Sequence, residues 1–292
     1  MKKIFLVLLA ALYLPFQGGG PQAQSVQIEH EVEPQAVVAV LPNPFQEEKN
    51  QAEGAKRAEK STRTVDPSRP MVALTFDDGP HPVYTDEILD VLEEHHAVAT
   101  FFEVGQKLST APEAVQRAAE MGCEIGSHSY RHANLSKLDR QALKEDLAAA
   151  DEEFRKVLGT VPTLLRPPYG AVGKALREGA GYSVVTWSVD PEDWKVRDAD
   201  KVTAHIQAQK DLDGQVILLH STYPSTVEAV ETLVPWLQEQ GYQLVTMSEL
   251  ITLRFHDTLE TDRLYRYDYF RRPPALPKAE DQETGRPCGV LS

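Results

Sequence analysis

Only two cysteines, Cys123 and Cys288, occur in 292 residues. No disulfide framework can hold such a chain together, and about 200 residues bury enough core not to need one. Long basic runs are also missing: 30 Lys plus Arg face 44 Asp plus Glu, a formal charge of -14. A surface of that sign does not displace counterions from a phosphate backbone, which argues against nucleic acid as a partner. Nor is there an apolar run of membrane-spanning length, since Ile4 to Phe16 falls short of the roughly 20 residues a spanning helix requires. No repeat of fixed period is present. What is there is ordinary globular composition, 41% apolar and 25% charged.

Lys2 and Lys3 precede the Ile4 to Phe16 run, and small or polar residues follow it. That layout predicts a secretory signal peptide over residues 1–24, hence export to the periplasm, cell envelope or medium, with no permanent membrane span. Residues 25–69 mix Gln, Glu, Pro, Ala and Lys and read as a disordered linker. From Met71 the composition changes, and residues 70–253 read as one catalytic domain. The extension 254–292 opens with an aromatic and basic cluster around Tyr265, Tyr269 and Phe270, suited either to packing on the domain or to touching a polymer. Whether Cys123 and Cys288 pair stays open, as does the oligomeric state.

Within the domain, seven apolar β-rich runs alternate with helical patterns. The strands are expected at Met71 to Phe76, Ala99 to Val104, Cys123 to Ser127, Thr163 to Arg166, Tyr182 to Val189, Gln215 to Leu219 and Gln243 to Thr246. The longest helix is expected over Leu138 to Leu158, with Ser136 and Asp139 as its start signal and Gly159 as its stop. The alternation implies an α/β fold with a parallel sheet and helical crossovers. Seven units are too compact for a regular eight-unit barrel of about 250 residues, so a smaller, imperfect barrel is expected.

In parallel βα folds the reacting groups gather where strands end. Five of the seven runs end in polar clusters: Asp77 and Asp78 before Gly79; His128 to His132; Arg166 to Gly170; Asp190 to Trp194; and His220 after Leu218 and Leu219. Taken singly, each has an ordinary explanation as a turn, a rigid loop or a solvated pair. Five falling at the same end of one sheet do not.

Asp78, His128 and His132 offer one oxygen and two nitrogens, the ligand set of a catalytic zinc site with a position left for water. Such a site hydrolyses amides or esters by acidifying water and polarising a carbonyl. Asp77, next in sequence but outside that set, can accept the water's proton, with Arg166 as its partner, and His220 is left to protonate a leaving amine. Trp194 and Tyr169 supply flat faces for sugar rings, and Leu218 can floor an acyl pocket.

At these residues the chain resembles the polysaccharide deacetylases of carbohydrate esterase family 4, over about residues 70–252 and through five motifs in order. These are Thr-Phe-Asp-Asp-Gly-Pro at 75–80, His-Ser-Tyr-Arg-His at 128–132, Arg-Pro-Pro-Tyr-Gly at 166–170, Asp-Pro-Glu-Asp-Trp at 190–194 and Leu-Leu-His at 218–220. The resemblance implies a distorted (β/α)7-type barrel of parallel strands, a divalent metal (zinc, sometimes cobalt) and removal of N-acetyl groups from amino-sugar polymers. It assigns Asp77 as base, Asp78, His128 and His132 as ligands and His220 as acid. It also makes Arg166 the residue that orients the base, gives Tyr169 a backbone N–H to the oxyanion, and has Asp193 support the acid. One departure is Ser221, where many members carry Asp. The expected substrate is an N-acetylated envelope polysaccharide, with peptidoglycan first and chitooligosaccharide or acetylxylan as alternatives. A non-catalytic glycan-binding protein is the rival of another class, and a complete set of ligands, base and acid speaks against it.

Overall fold

The computed structural model describes residues 63–271. The expected signal peptide, most of the expected linker and Cys288 lie outside them. Eight parallel strands form one sheet in the order β6-β1-β2-β3-β4-β5-β8, with β7 pairing β1 beside that path. They are β1 (Met71–Gly79), β2 (Thr100–Glu103), β3 (Glu124–Ser127), β4 (Leu164–Leu165), β5 (Ser183–Val185), β6 (Val216–His220), β7 (Gln243–Leu244) and β8 (Leu264–Tyr265). The principal helices are α1 (Tyr84–Glu94), α2 (Pro112–Glu120), α3 (Arg140–Leu158), α4 (Lys174–Arg177), α5 (Asp193–Val196), α6 (Ala199–Gln207) and α7 (Pro224–Glu239). Beyond β5 the chain returns to the opposite edge, where Val189 bridges Ile217 of β6. The sheet therefore curls most of the way round without regular closure, the imperfect barrel expected from seven compact units.

Strand β1 shows how the two cores arise. Successive side chains of a strand point to opposite faces, and Val72, Leu74 and Phe76 pack with Ile88, Leu89, Val230 and Leu233 of the helices. Met71 and Ala73 face the other way, into a cluster with Phe102, Val216, Val245 and Tyr265. Continuing that inner face gives Thr75 and then Asp77, so the apolar barrel interior turns polar as β1 reaches its end. Both faces are buried, which is why β1 reads as a nearly unbroken apolar run.

Three details differ from the sequence expectation. Helix α3 is capped by Asp139, whose side chain accepts from the Ala142 N–H at 2.9 Å. Ser136 instead sits in a separate 3-10 turn, where Asn134 accepts from its backbone. Gly159 ends α3 as expected, in the left-handed conformation with φ 73. The domain also begins earlier than residue 70: Arg63 donates to the Leu244 carbonyl at 2.9 Å and pairs with Glu249.

The third difference is the eighth strand, which comes from the extension. Leu264 and Tyr265 pair with Val184 and Val185 of β5, and Tyr265, Tyr269 and Phe270 are buried against Phe255. The aromatic cluster is core. The Tyr265 hydroxyl donates to the Thr258 carbonyl at 2.8 Å and accepts from the Glu260 N–H at 3.0 Å. Tyr265→Ala should therefore lower unfolding free energy by about 3–5 kcal/mol; urea denaturation of the variant would show it, and an unchanged midpoint would contradict the assignment of this segment to the core.

Candidate active site

At the end of β1 the register to β2 shifts between Asp77 and Gly79, and Asp78 takes φ 70. Adjacent residues of a regular strand would send their side chains to opposite faces. This bulge re-aims Asp78, so that both carboxylates serve the same mouth. Asp77 is level with His220 across the β1–β6 pairing.

His128 follows β3 immediately. Its Nδ1 lies 2.7 Å from the Arg166 carbonyl oxygen, and since a carbonyl only accepts, Nδ1 carries the hydrogen. Nε2 is then the lone-pair nitrogen, and it points at Asp78 Oδ1 at 3.4 Å. His132 Nε2 reaches the same oxygen at 3.0 Å. One ligand atom from each of Asp78, His128 and His132 lies within 4.8 Å of the others. Asp78 Oδ1 is buried with no hydrogen-bond partner. A carboxylate oxygen and a ring lone pair converging this way call for a cation between them, and one oxygen with two imidazole nitrogens is a donor set that suits zinc and its neighbours. Burial alone would raise the Asp78 carboxyl. The two neighbouring imidazoles, were they protonated, would outweigh this and hold it well below the usual carboxylate range; a cation bound between neutral rings would act in the same direction.

Asp77 stands outside this triangle. Its Oδ1 accepts from Arg166 Nη1 at 2.8 Å, while Oδ2 lies 3.7 Å from His128 Nε2. Arg166 is wholly buried. Its Nη1 also donates to Thr75 Oγ1 at 2.7 Å, its Nη2 donates to the Thr186 carbonyl at 3.1 Å, and the guanidinium lies 4.1 Å above the Phe102 ring. These contacts leave the fork one orientation.

On the neighbouring strand β6, His220 Nδ1 is 2.7 Å from Asp193 Oδ1. Asp193 Oδ2 accepts from the His220 backbone N–H and from Thr226 Oγ1, both at 2.8 Å. Nδ1 thus donates and Nε2 is left for other partners. Burial alone would lower the His220 imidazole. The hydrogen bond and charge of Asp193, helped by Asp77 and Asp78, outweigh it and raise the imidazole above the ordinary histidine value of 6.5.

The expected sugar-contacting residues are more dispersed. Tyr169, at φ 62, sets its ring 4.8 Å from that of His132 and is 67% exposed. Trp194 projects from α5 at 45% exposure. Leu218 is buried two residues before His220, on the same strand face. The next residue after Tyr169 must be glycine: Gly170 has φ 61, and a Cβ there would stand 2.9 Å from the Trp187 ring.

Sequence reasoning passed over Glu103, although it too ends a strand. It is fully buried at the level of Ser127 and Gly79. Its Oε2 has no hydrogen-bond partner, and neither does the buried Ser221 hydroxyl. Both atoms lie 2.5 Å from where a Cβ on Gly79 would be, so only glycine fits between them. Burial, with smaller pushes from Asp77 and Asp78 and an opposing pull from Lys107, raises the Glu103 carboxyl to about 8. Lys107 itself donates to the Asp78 carbonyl at 2.7 Å. A charged residue closing the apolar run Ala99 to Val104 was the available signal.

A polysaccharide deacetylase family model matches residues 64–185. The chain is 41% identical to the peptidoglycan-N-acetylmuramic acid deacetylase PdaC of Bacillus subtilis, over 64% of this chain and 40% of that one. It is 37% identical to a peptidoglycan-N-acetylglucosamine deacetylase of Bacillus cereus, over 62% and 88%. A solved structure described as T48 deacetylase with substrate superposes with a TM-score of 0.65 at 36% identity, covering 69% of this chain and all of that one. The chain spans about two fifths of the length of the longer relatives it matches.

Two measurements check the electrostatics. The His220 imidazole should titrate above 6.5 by NMR and fall in Asp193→Asn. Because its folded value is raised, the stability this pair contributes is full below about pH 6.5 and fades as pH rises through the folded value. Glu103 is a raised acid, so the fold should lose up to about 1.4 kcal/mol per pH unit as pH rises from 4.5 towards 8. Glu103→Gln should flatten that loss in a pH series of denaturation curves; an unaltered slope would disprove it.

Proposed function

Because the chain belongs to the polysaccharide deacetylase family, we propose that it is an exported, metal-dependent amidase that removes acetyl groups from the amino sugars of an envelope polysaccharide, peptidoglycan first among them. The single observation that carries this reading is the convergence of Asp78 Oδ1 and two imidazole nitrogens, with the tautomer of His128 set by the Arg166 carbonyl. Asp78, His128 and His132 would hold the cation. When bound, a divalent ion, zinc by preference of this donor set, supplies acidification of water and polarisation of the acetyl carbonyl.

The remaining steps belong to side chains. Asp77 accepts the proton of the attacking water, and the Arg166 fork keeps its free oxygen turned towards the mouth. The backbone N–H of Tyr169 faces the oxyanion. His220 donates from Nε2 to the departing amine, since Asp193 occupies Nδ1 and favours the protonated ring. Leu218 borders the space for the acetyl methyl, and Trp194 and Tyr169 offer faces to neighbouring sugar rings.

Peptidoglycan is favoured by the names of the two curated relatives, both deacetylases of that polymer, and by the predicted export of residues 1–24. Among the described residues no helix is long and apolar enough to cross a membrane. A glycan-binding protein without catalysis would have no use for Asp77 and His220 side by side at a cation site.

The test is acetate release from peptidoglycan by the zinc-loaded protein, lost with a chelator and restored by metal. Asp77→Asn should lower turnover by at least about 10²-fold while zinc still binds, whereas His128→Ala should lose the metal too. Equal metal loss in both variants would refute this division of roles, and no acetate from any N-acetylated glycan would refute the activity.

A further inference from the structure

Linked to His220 through the Tyr223 ring, the rim carries a cation that pairs with no carboxylate among the described residues. Arg197 follows α5 with φ 46, in the left-handed region. Its Nε donates to the Trp194 carbonyl at 3.2 Å, and its guanidinium carbon lies 4.6 Å from the centre of the Tyr223 ring. The Tyr223 ring is in turn 6.2 Å from the ring of His220. Arg197 is thus pinned twice, through its Nε and through its face, and neither contact uses the two terminal nitrogens.

In a chain with 44 acidic residues, the nearby carboxylates would be expected to quench such a charge. Asp190 accepts from the Glu192 N–H at 2.9 Å and makes no ion pair with Arg197, and three others are committed elsewhere. Glu192 pairs with Lys195 at 2.9 Å, Asp198 pairs with Lys201 at 2.9 Å, and Asp193 is saturated by His220 and Thr226. Stacking on an aromatic ring orients a guanidinium without neutralising it, and the planar fork left over matches a carboxylate through two parallel hydrogen bonds. The protein as a whole repels anions, with its charge of -14. One unquenched cation on the ring that neighbours the proposed acid is therefore a local exception to the general field.

We propose that Arg197, seated on Tyr223, is a specificity-determining residue that receives a carboxylate borne by the substrate close to the N-acetyl group being removed. The enzyme then prefers acidic amino-sugar polymers to neutral ones. This rests on the deacetylase reading above and deepens it. A peptidoglycan strand offers carboxylates of two origins, the acid ether-linked to its muramic sugar and those of an attached stem peptide, and both present the same chemistry to a guanidinium.

The experiment compares the full-length zinc-loaded protein with Arg197→Gln and Arg197→Lys on four substrates: peptide-free peptidoglycan strands, the same strands with carboxylates reduced to alcohols, peptide-bearing strands, and chitotetraose. Arg197→Gln should lose about fivefold in kcat/KM on peptide-free strands, through KM, with no change on reduced strands or chitotetraose. Arg197→Lys should recover part of the loss. The wild-type preference for acidic strands should shrink in added salt. A loss confined to peptide-bearing strands supports the proposal with the stem as source. Equal loss on all four substrates overturns it, since Arg197 would then merely support the loop. A wild type that treats acidic and reduced strands alike, or prefers chitotetraose, also overturns it and leaves the deacetylase reading standing. Failure of the wild type to release acetate from any of the four defeats that reading itself.

Discussion

Arg166 is taken wholly out of water, and the rest of the site hangs from it at both ends. Its guanidinium fixes Asp77, while its carbonyl fixes the tautomer of His128. An unpaired charge at that depth would cost several kcal/mol, so Asp77, Thr75 and the Thr186 carbonyl are demanded by burial as much as by chemistry. The stacking of the guanidinium on Phe102 adds a wall from β2. One residue at the end of β4 therefore couples the proposed base on β1 to a proposed ligand after β3, and neither can shift without disturbing the other.

The strand ends share a second trait. Asp78, Ser129, His132, Tyr169 and Glu192 all take positive φ, five of the nine non-glycine residues that do so among the described residues. Left-handed backbone is unfavourable for side chains of this kind and persists where surrounding contacts over-determine it. Here it serves direction. A parallel strand running on regularly would alternate its side chains between interior and helices, and a left-handed residue at its end breaks that alternation and turns the next groups over the mouth.

Most of this architecture was legible in the sequence, because strand-end clustering follows from the alternation of β-rich and helical runs alone. Asp77, Asp78, His128, His132, Arg166, Asp193 and His220 all meet where the motifs pointed. What escaped has identifiable causes. Glu103 was hidden because it closes an apolar run without a following cluster. The bulge at Asp78 leaves no mark in residue types, since an Asp before Gly is also an ordinary turn. Strand β8 has two residues and sits in an aromatic and basic segment whose periodicity is too short to read. Ser136 with Asp139 three residues on looks like a capping box, but Asn134 engages Ser136 in a turn of its own and Asp139 caps α3 alone.

The topology bears on how such a chain can acquire its shape. Strand β1 is flanked by β6 along one edge and by β7 and then β2 along the other, and the far edge is completed by residues 264–265. Pairings so distant in the chain raise contact order and slow the search for the native state. An incomplete polypeptide emerging in order has no late strands with which to cover β1, and so it stays open and threadable. For the exported enzyme proposed above, that delay would be useful: the same crossovers that finally bring Asp77 level with His220 keep the chain from locking early.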